Sequence, residues 1–291
     1  MLEPSPPAVH EEPWFADDPV ARGDADRQVV SPVTSGDVLW RDLAADDPSL
    51  SEWCCERWLA AYKELSPAPP ELVATRLALH RLAERVISPV RQRANGKIGL
   101  RWTLGGFGTP FFGADAQVRV DGGELVVEVG GEERRVALST VRDAAAAVGF
   151  DLRGTDEDHA DAPLEIDGQA SRFVGDWFGF AVSVLEQLRA EAPAEWEPSR
   201  VQLWPEHFDM AVELGSEELE QRAGLGCSPG DEAHAEPYLY VAPWTARPFG
   251  ELWQARGFPG AEMGYAELLA APDQRAAALE FFRVRLAALN A

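Results

Sequence analysis

Two histidines and one aspartate stand where their side chains could ligate a metal ion. His207 and Asp209 are two residues apart in a segment with strand-like alternation, so a strand would point both side chains to one face. His234 follows in an acidic loop, and folding of that loop over the strand would bring it to the pair. Two imidazoles and a carboxylate suit iron, manganese or zinc with open positions. One prediction is therefore a metal-dependent enzyme that holds a divalent ion with His207, Asp209 and His234.

Aromatic residues in the same stretch favour a different site, a ligand cleft. Tyr238 and Tyr240 alternate along a short strand, so their rings share one face. Clefts for small molecules are mostly apolar, with a few polar groups that orient the ligand. The stretch 204–244 therefore predicts a small-molecule site, and its expected residues are Trp204, His207, Asp209, Tyr238 and Tyr240.

A serine or cysteine nucleophile is less consistent with the sequence. Residues 226–230 spell GCSPG, which matches the G-x-S-x-G pattern of a nucleophile elbow. The residue after the serine must donate its backbone N–H to the oxyanion, and here it is Pro229, which has none. Cys227 and His234 could form a thiolate pair, but nothing in the sequence marks a third group that orients them.

Composition narrows the classes of partner. The chain has 291 residues and a formal net charge of −23, so polyanions such as nucleic acids and anionic membrane surfaces would be repelled. No apolar run is long enough to span a membrane, and the N-terminus lacks the features of a secretory signal. Three cysteines without a framework spacing favour a reducing compartment, so a cytoplasmic location is expected. A protein-interaction module that uses the acidic N-terminal tail is a third functional hypothesis.

Hydrophobic periodicity predicts helices and strands in alternating groups. Residues 1–45 are acidic and rich in proline, which predicts a disordered tail, and 46–291 are expected to form one domain with possible halves 46–152 and 165–291. Helices are expected at about 49–61, 70–87, 139–148, 171–190 and 273–289, with Pro89 ending the second. Strands are expected at about 98–104, 116–121, 124–129, 133–138, 200–204, 207–214, 222–228 and 236–243, with a glycine-rich loop at 105–113. Hairpin-linked local strands indicate a largely antiparallel sheet with helices on one face, the α+β class.

Several short segments together resemble a known protein family. They are NGKIGL at 95–100, FDMA at 208–211, PYLY at 237–240 and APD at 271–273, ahead of the last helix. In this order they are similar to bacterial proteins, largely actinobacterial, that share a domain of unknown function. The resemblance covers about 95–291 and implies a conserved architecture without an assigned activity.

Overall fold

The structure is a computed structural model that describes residues 64–103, 105–110, 116–129, 132–150, 152, 157–245 and 250–290. The predicted tail (1–45), the predicted helix at 49–61 and part of the glycine-rich loop lie outside the described residues. The described chain forms two compact units. The first comprises residues 68–176 and 203–208, and the second comprises 64–67, 177–202 and 209–290.

The described helices and strands follow one another in the order expected of an α+β protein. The helices are α1 (Leu72–Leu82), a π-helical turn (Ala83–Ile87), α2 (Ser88–Asn95), α3 (Val141–Ala147), α4 (Glu157–Ala160), α5 (Gly168–Glu191), a 3₁₀ turn (Ala194–Trp196), α6 (Tyr265–Leu269) and α7 (Gln274–Leu289). The strands are β1 (Arg101–Thr103), β2 (Gly106–Gly108), β3 (Ala116–Asp121), β4 (Glu124–Val129), β5 (Glu132–Ala137), β6 (Gln202–Trp204), β7 (Asp209–Leu214), β8 (Ala223–Ser228), β9 (Tyr238–Pro243) and β10 (Ala261–Gly264).

The first sheet is an antiparallel meander in the order β1-β2-β3-β4-β5. Its register places Trp102, Phe107, Val120 and Leu125 side by side, and all four side chains are buried. This row of apolar side chains explains why one face of the sheet is core. The meander at 116–137 was predicted, but β2 lies inside the segment expected to be a loop. A side chain at Gly106 would overlap the backbone of Val120, so glycine is needed in this strand.

The helix before the first sheet continues past Pro89, so the prediction that the proline ends it is wrong. Proline lacks an N–H and its ring collides with the carbonyl four residues earlier. Here the turn Ala83–Ile87 widens to π-helical geometry, and α2 then begins with proline in its first turn. A π-turn inserts one extra residue into the helix, which accommodates the proline without ending the helix. Gly96, with φ of 77°, ends it instead.

The second sheet has the order β10-β9-β8-β7-β6. Along one face the paired residues Val212, Leu225, Val241 and Ala261 are all buried, which forms the apolar core side. The opposite face carries the residues between them, and these are small or polar. The last helix was predicted correctly, because Asp273 is its N-cap and accepts the backbone N–H of Ala276.

Two antiparallel five-stranded sheets together with helices make this an α+β protein, as the sequence predicts. Among the described residues, no helix combines the length and the apolar character that crossing a membrane requires.

Candidate functional site

His207 and Asp209 do not share a strand face, which corrects the prediction from the sequence. Strand β7 begins only at Asp209, and His207 is exposed in the turn that follows Trp204. Between them Phe208 adopts a φ of 54°, a left-handed conformation that interrupts the extended alternation. The buried Phe208 ring is held by stacking on His80 at 5.3 Å and by an edge contact with Phe107 at 5.1 Å. This anchoring stabilises an unfavourable backbone angle.

Asp209 instead meets Tyr240 on the small and polar face of the second sheet. The Asp209 carboxylate is buried and accepts a hydrogen bond from the Tyr240 hydroxyl. The two residues lie on β7 and β9, so the tyrosine ring must cross β8, and it does so above Gly226. A Cβ at Gly226 would overlap the ring and hydroxyl of Tyr240. Glycine at this position therefore permits the contact between the outer two of the three strands.

Burial controls protonation around this contact. Desolvation, followed by the negative charge of Asp209, raises the pKa of Tyr240 well above its ordinary value. The phenol therefore stays protonated and remains a donor to the carboxylate. Desolvation, with a further contribution from Asp209, also raises the pKa of the buried Cys227 thiol. Cys227 pairs with Leu239 on the apolar face, so it does not form the thiolate pair with His234 considered above.

Asp231 organises the loop between β8 and β9. Its Oδ1 accepts the backbone N–H groups of Ala233 at 2.7 Å and His234 at 2.8 Å, and its Oδ2 accepts the Tyr238 hydroxyl at 2.7 Å. Partial burial opposes ionisation, but the hydrogen bonds from Tyr238, His234 and the backbone outweigh it and lower the pKa of Asp231. The carboxylate is therefore charged at neutral pH, and it fixes both the loop and the position of Tyr238.

His234 joins this loop to β10. Its Nδ1 lies 3.0 Å from Asp231 Oδ1, and its Nε2 lies 3.4 Å from Glu262 Oε2. The imidazole also packs against the Tyr238 ring at 4.2 Å. Sequence reasoning missed Glu262, because the strand that carries it is four residues long and was not predicted. The available signal was a single glutamate between Ala261 and Met263, too short an alternation to identify a strand.

These side chains form one connected group, which we name the tyrosine–histidine cluster: Asp209, Asp231, His234, Tyr238, Tyr240 and Glu262. Neighbouring positions on the same sheet face are small, with Ala211 and Gly224 beside Gly226. The Phe258 ring closes one side, with its centroid 6.2 Å from that of Tyr240 in an edge-on contact. The cluster remains accessible to solvent, since the side chains of Asp231, His234 and Glu262 are 42, 22 and 17% exposed.

The three predicted metal ligands, His207, Asp209 and His234, lie in other environments. Throughout the described part of the chain, no group of three or more His, Cys, Asp or Glu side chains is arranged to hold a metal ion. Asp209 is bonded to Tyr240, His234 lies between two other carboxylates, and His207 lies in the exposed turn outside β7. The sequence predicted that the 231–236 loop folds over His207 and Asp209, and none of these contacts shows that arrangement. Of the predicted ligand-site residues, the structure brings together Asp209, Tyr238 and Tyr240.

Comparison with known proteins finds no matching family model, no matching curated protein and no matching solved structure. The resemblance to actinobacterial proteins therefore stays a prediction.

Proposed function

We propose that this protein binds a small molecule bearing a protonated amine, and that the tyrosine–histidine cluster is the binding site. This retains the small-molecule function expected for 204–244 and assigns the ligand a charge. The observation that carries it is the environment of Glu262. Its Oε2 accepts the backbone N–H of Arg256 at 3.2 Å and lies 3.4 Å from Nε2 of the His234 imidazole. Among the described residues, none donates a hydrogen bond to its Oε1.

A carboxylate held in this way suits an ammonium group. The backbone N–H of Arg256 fixes its orientation, and partial burial weakens the competition from water. Glu262 also pairs with Tyr240 across β9 and β10, so the carboxylate and the aromatic ring are adjacent on one face. Ammonium groups are attracted both to carboxylates and to the faces of aromatic rings. The cluster contains three carboxyl groups and a single imidazole, which also favours a cation over an anion.

The face of β8 that borders the site permits close approach of the apolar part of the ligand. On β8, a side chain at Gly224 would meet nothing nearer than the carbonyl oxygen of Ala242 at 3.9 Å. Gly224 therefore leaves open space above β8, on the same sheet face as Tyr240. In the proposed complex the amine of the ligand lies at Glu262 and its apolar body lies against β8 at Gly224.

Matched probes separate charge from hydrophobicity. Isothermal titration with 2-phenylethylamine, 2-phenylethanol and phenylacetate compares a cation, a neutral molecule and an anion of similar skeleton. The amine is expected to bind at least tenfold more tightly than either of the others. Glu262→Gln should weaken its binding by about 10- to 150-fold, since a charge-assisted hydrogen bond contributes about 1.5–3 kcal/mol. The control is Glu251→Gln, which removes the same charge from an exposed position of the second unit.

Equal loss of affinity in Glu262→Gln and Glu251→Gln would show that only net charge matters and would exclude the site. Tighter binding of phenylacetate than of the amine would exclude the ligand class. A cytoplasmic location and the protein-interaction hypothesis, which depends on the tail outside the described residues, both stay predictions.

A further inference from the structure

A cavity of about 390 Å³ lies within the first unit, between α1, the π-helical turn, α3 and α4. Cavities of this size accommodate small organic ligands. Five of its lining residues lie on one helical stripe at i, i+3, i+4, i+7 and i+8, and they are Leu77, His80, Arg81, Glu84 and Arg85. The opposite wall is formed by Val141, Leu152, His159 and Ala160. We call this cavity the basic pocket.

The charge of the pocket runs against that of the whole protein. The chain has 49 acidic residues against 26 Lys and Arg, yet the described residues that line the basic pocket include two arginines, two histidines and a single glutamate. Arg81 makes no hydrogen bond or ion pair with any described residue, although the chain is rich in acids. An arginine at the wall of a cavity, with no carboxylate partner among the described residues, is a ready site for an anion.

His80 is a second polar residue at the wall of the pocket. Its ring is held by stacking on Phe208, with an interplanar angle of 11°. Its Nε2 is buried, and within the described chain no hydrogen-bond partner reaches it. The nearest acid is Glu84, at 4.0 Å, which is beyond hydrogen-bonding distance. Because this atom is not accessible to water, a ligand oxygen does not reach it either, and His80 shapes the wall of the pocket without binding the ligand through Nε2.

The apolar part of the pocket indicates what accompanies the anionic group. Val141 and Ala160 are buried in the wall, whereas Leu77 is 51% exposed at the rim. A large aliphatic side chain exposed beside a cavity gains free energy when a ligand covers it. We infer that the basic pocket binds an aliphatic carboxylate, with its head group at Arg81 and its chain along Leu77 and Val141.

This site is separate from the proposed amine site, and its test is independent. Titration calorimetry of the full-length protein with octanoate, octanol and octylamine is expected to show binding of octanoate, about tenfold weaker binding of octanol and none of octylamine. Arg81→Gln should weaken octanoate about tenfold, as expected when one charge-assisted contact is lost. Glu262→Gln should leave octanoate binding unchanged.

The matched control is Arg172→Gln, which removes an exposed arginine elsewhere in the first unit. Its affinity for octanoate should stay within twofold of the wild type. The inference is overturned if octanol binds as tightly as octanoate, or if Arg81→Gln and Arg172→Gln behave alike. It is also overturned if octanoate does not bind at about 5 mM, where even a millimolar site would be occupied.

Discussion

Replacement of Gly226 by alanine should destabilise the protein, because the added methyl group would displace the Tyr240 ring and break the hydrogen bond between Tyr240 and Asp209. A Cβ at this position would lie well inside 3.0 Å of the Tyr240 ring, a separation that real Cβ atoms essentially never show. The ring must therefore move, and its hydroxyl leaves the buried Asp209 carboxylate. Loss of a hydrogen bond to a charged group costs about 1.5–3 kcal/mol, and the strain of displacing a packed ring adds to it, so we expect a total of about 2–4 kcal/mol.

Urea unfolding of variants in pairs isolates this effect. Gly224→Ala is the matched control on the same strand, where the added methyl group meets only the Ala242 carbonyl oxygen at 3.9 Å. Its free energy of unfolding should change by less than about 0.5 kcal/mol, as is usual away from packed features. In a Tyr240→Ala background the cost of Gly226→Ala should fall below about 1 kcal/mol, because the ring is absent. If Gly226→Ala is as neutral as Gly224→Ala, or keeps its full cost without the ring, the proposed geometry is refuted.

Three further predictions follow from the described contacts. Gly175→Ala should lower the free energy of unfolding by about 2 kcal/mol or more, measured by thermal unfolding. Its Cβ would lie 2.8–3.0 Å from the backbone of residues 105–106, which cannot rotate away as a side chain can. Unchanged stability would contradict this prediction. Because folding lowers the pKa of Asp231, its carboxylate stabilises the folded state at pH values above the pKa of the unfolded chain, and this stabilisation is lost as the pH falls through the pKa of the folded protein. The difference in melting temperature between wild type and Asp231→Asn should therefore be largest near neutral pH and vanish well below about pH 4. A difference that grows in acid would refute the prediction. With Cys54 and Cys55 replaced by serine, Cys227 should react with a thiol reagent only after unfolding, because burial raises the pKa of its thiol; rapid reaction of the folded protein would contradict this.

Much of the secondary structure could be predicted because local patterns determined it. The alternating apolar residues at 116–129 and the glycine turn at 122 specify a hairpin, and Asp273 marks the start of the last helix. The path past Pro89 could not be predicted, because proline ends most helices and the π-turn that accommodates it leaves no clear sequence pattern. Strand β2 was missed because its glycines have no side chains to alternate.

The candidate site was only partly visible for a similar reason. Tyr238 and Tyr240 alternate, so their shared face followed from strand geometry. The left-handed turn at Phe208 separates His207 from Asp209, and a bulky residue with positive φ is not expected from propensity. Glu262 enters the cluster through pairing with β9, a long-range contact that single-sequence patterns do not encode.

Titration of ¹⁵N-labelled protein with 2-phenylethylamine, followed by two-dimensional NMR, tests the central proposal most directly. The account predicts saturable shift changes concentrated in the amides of 226–240 and 258–264, with little change when phenylacetate is added instead. No change at about 5 mM, or the same changes with phenylacetate, would contradict an amine-binding site at the tyrosine–histidine cluster.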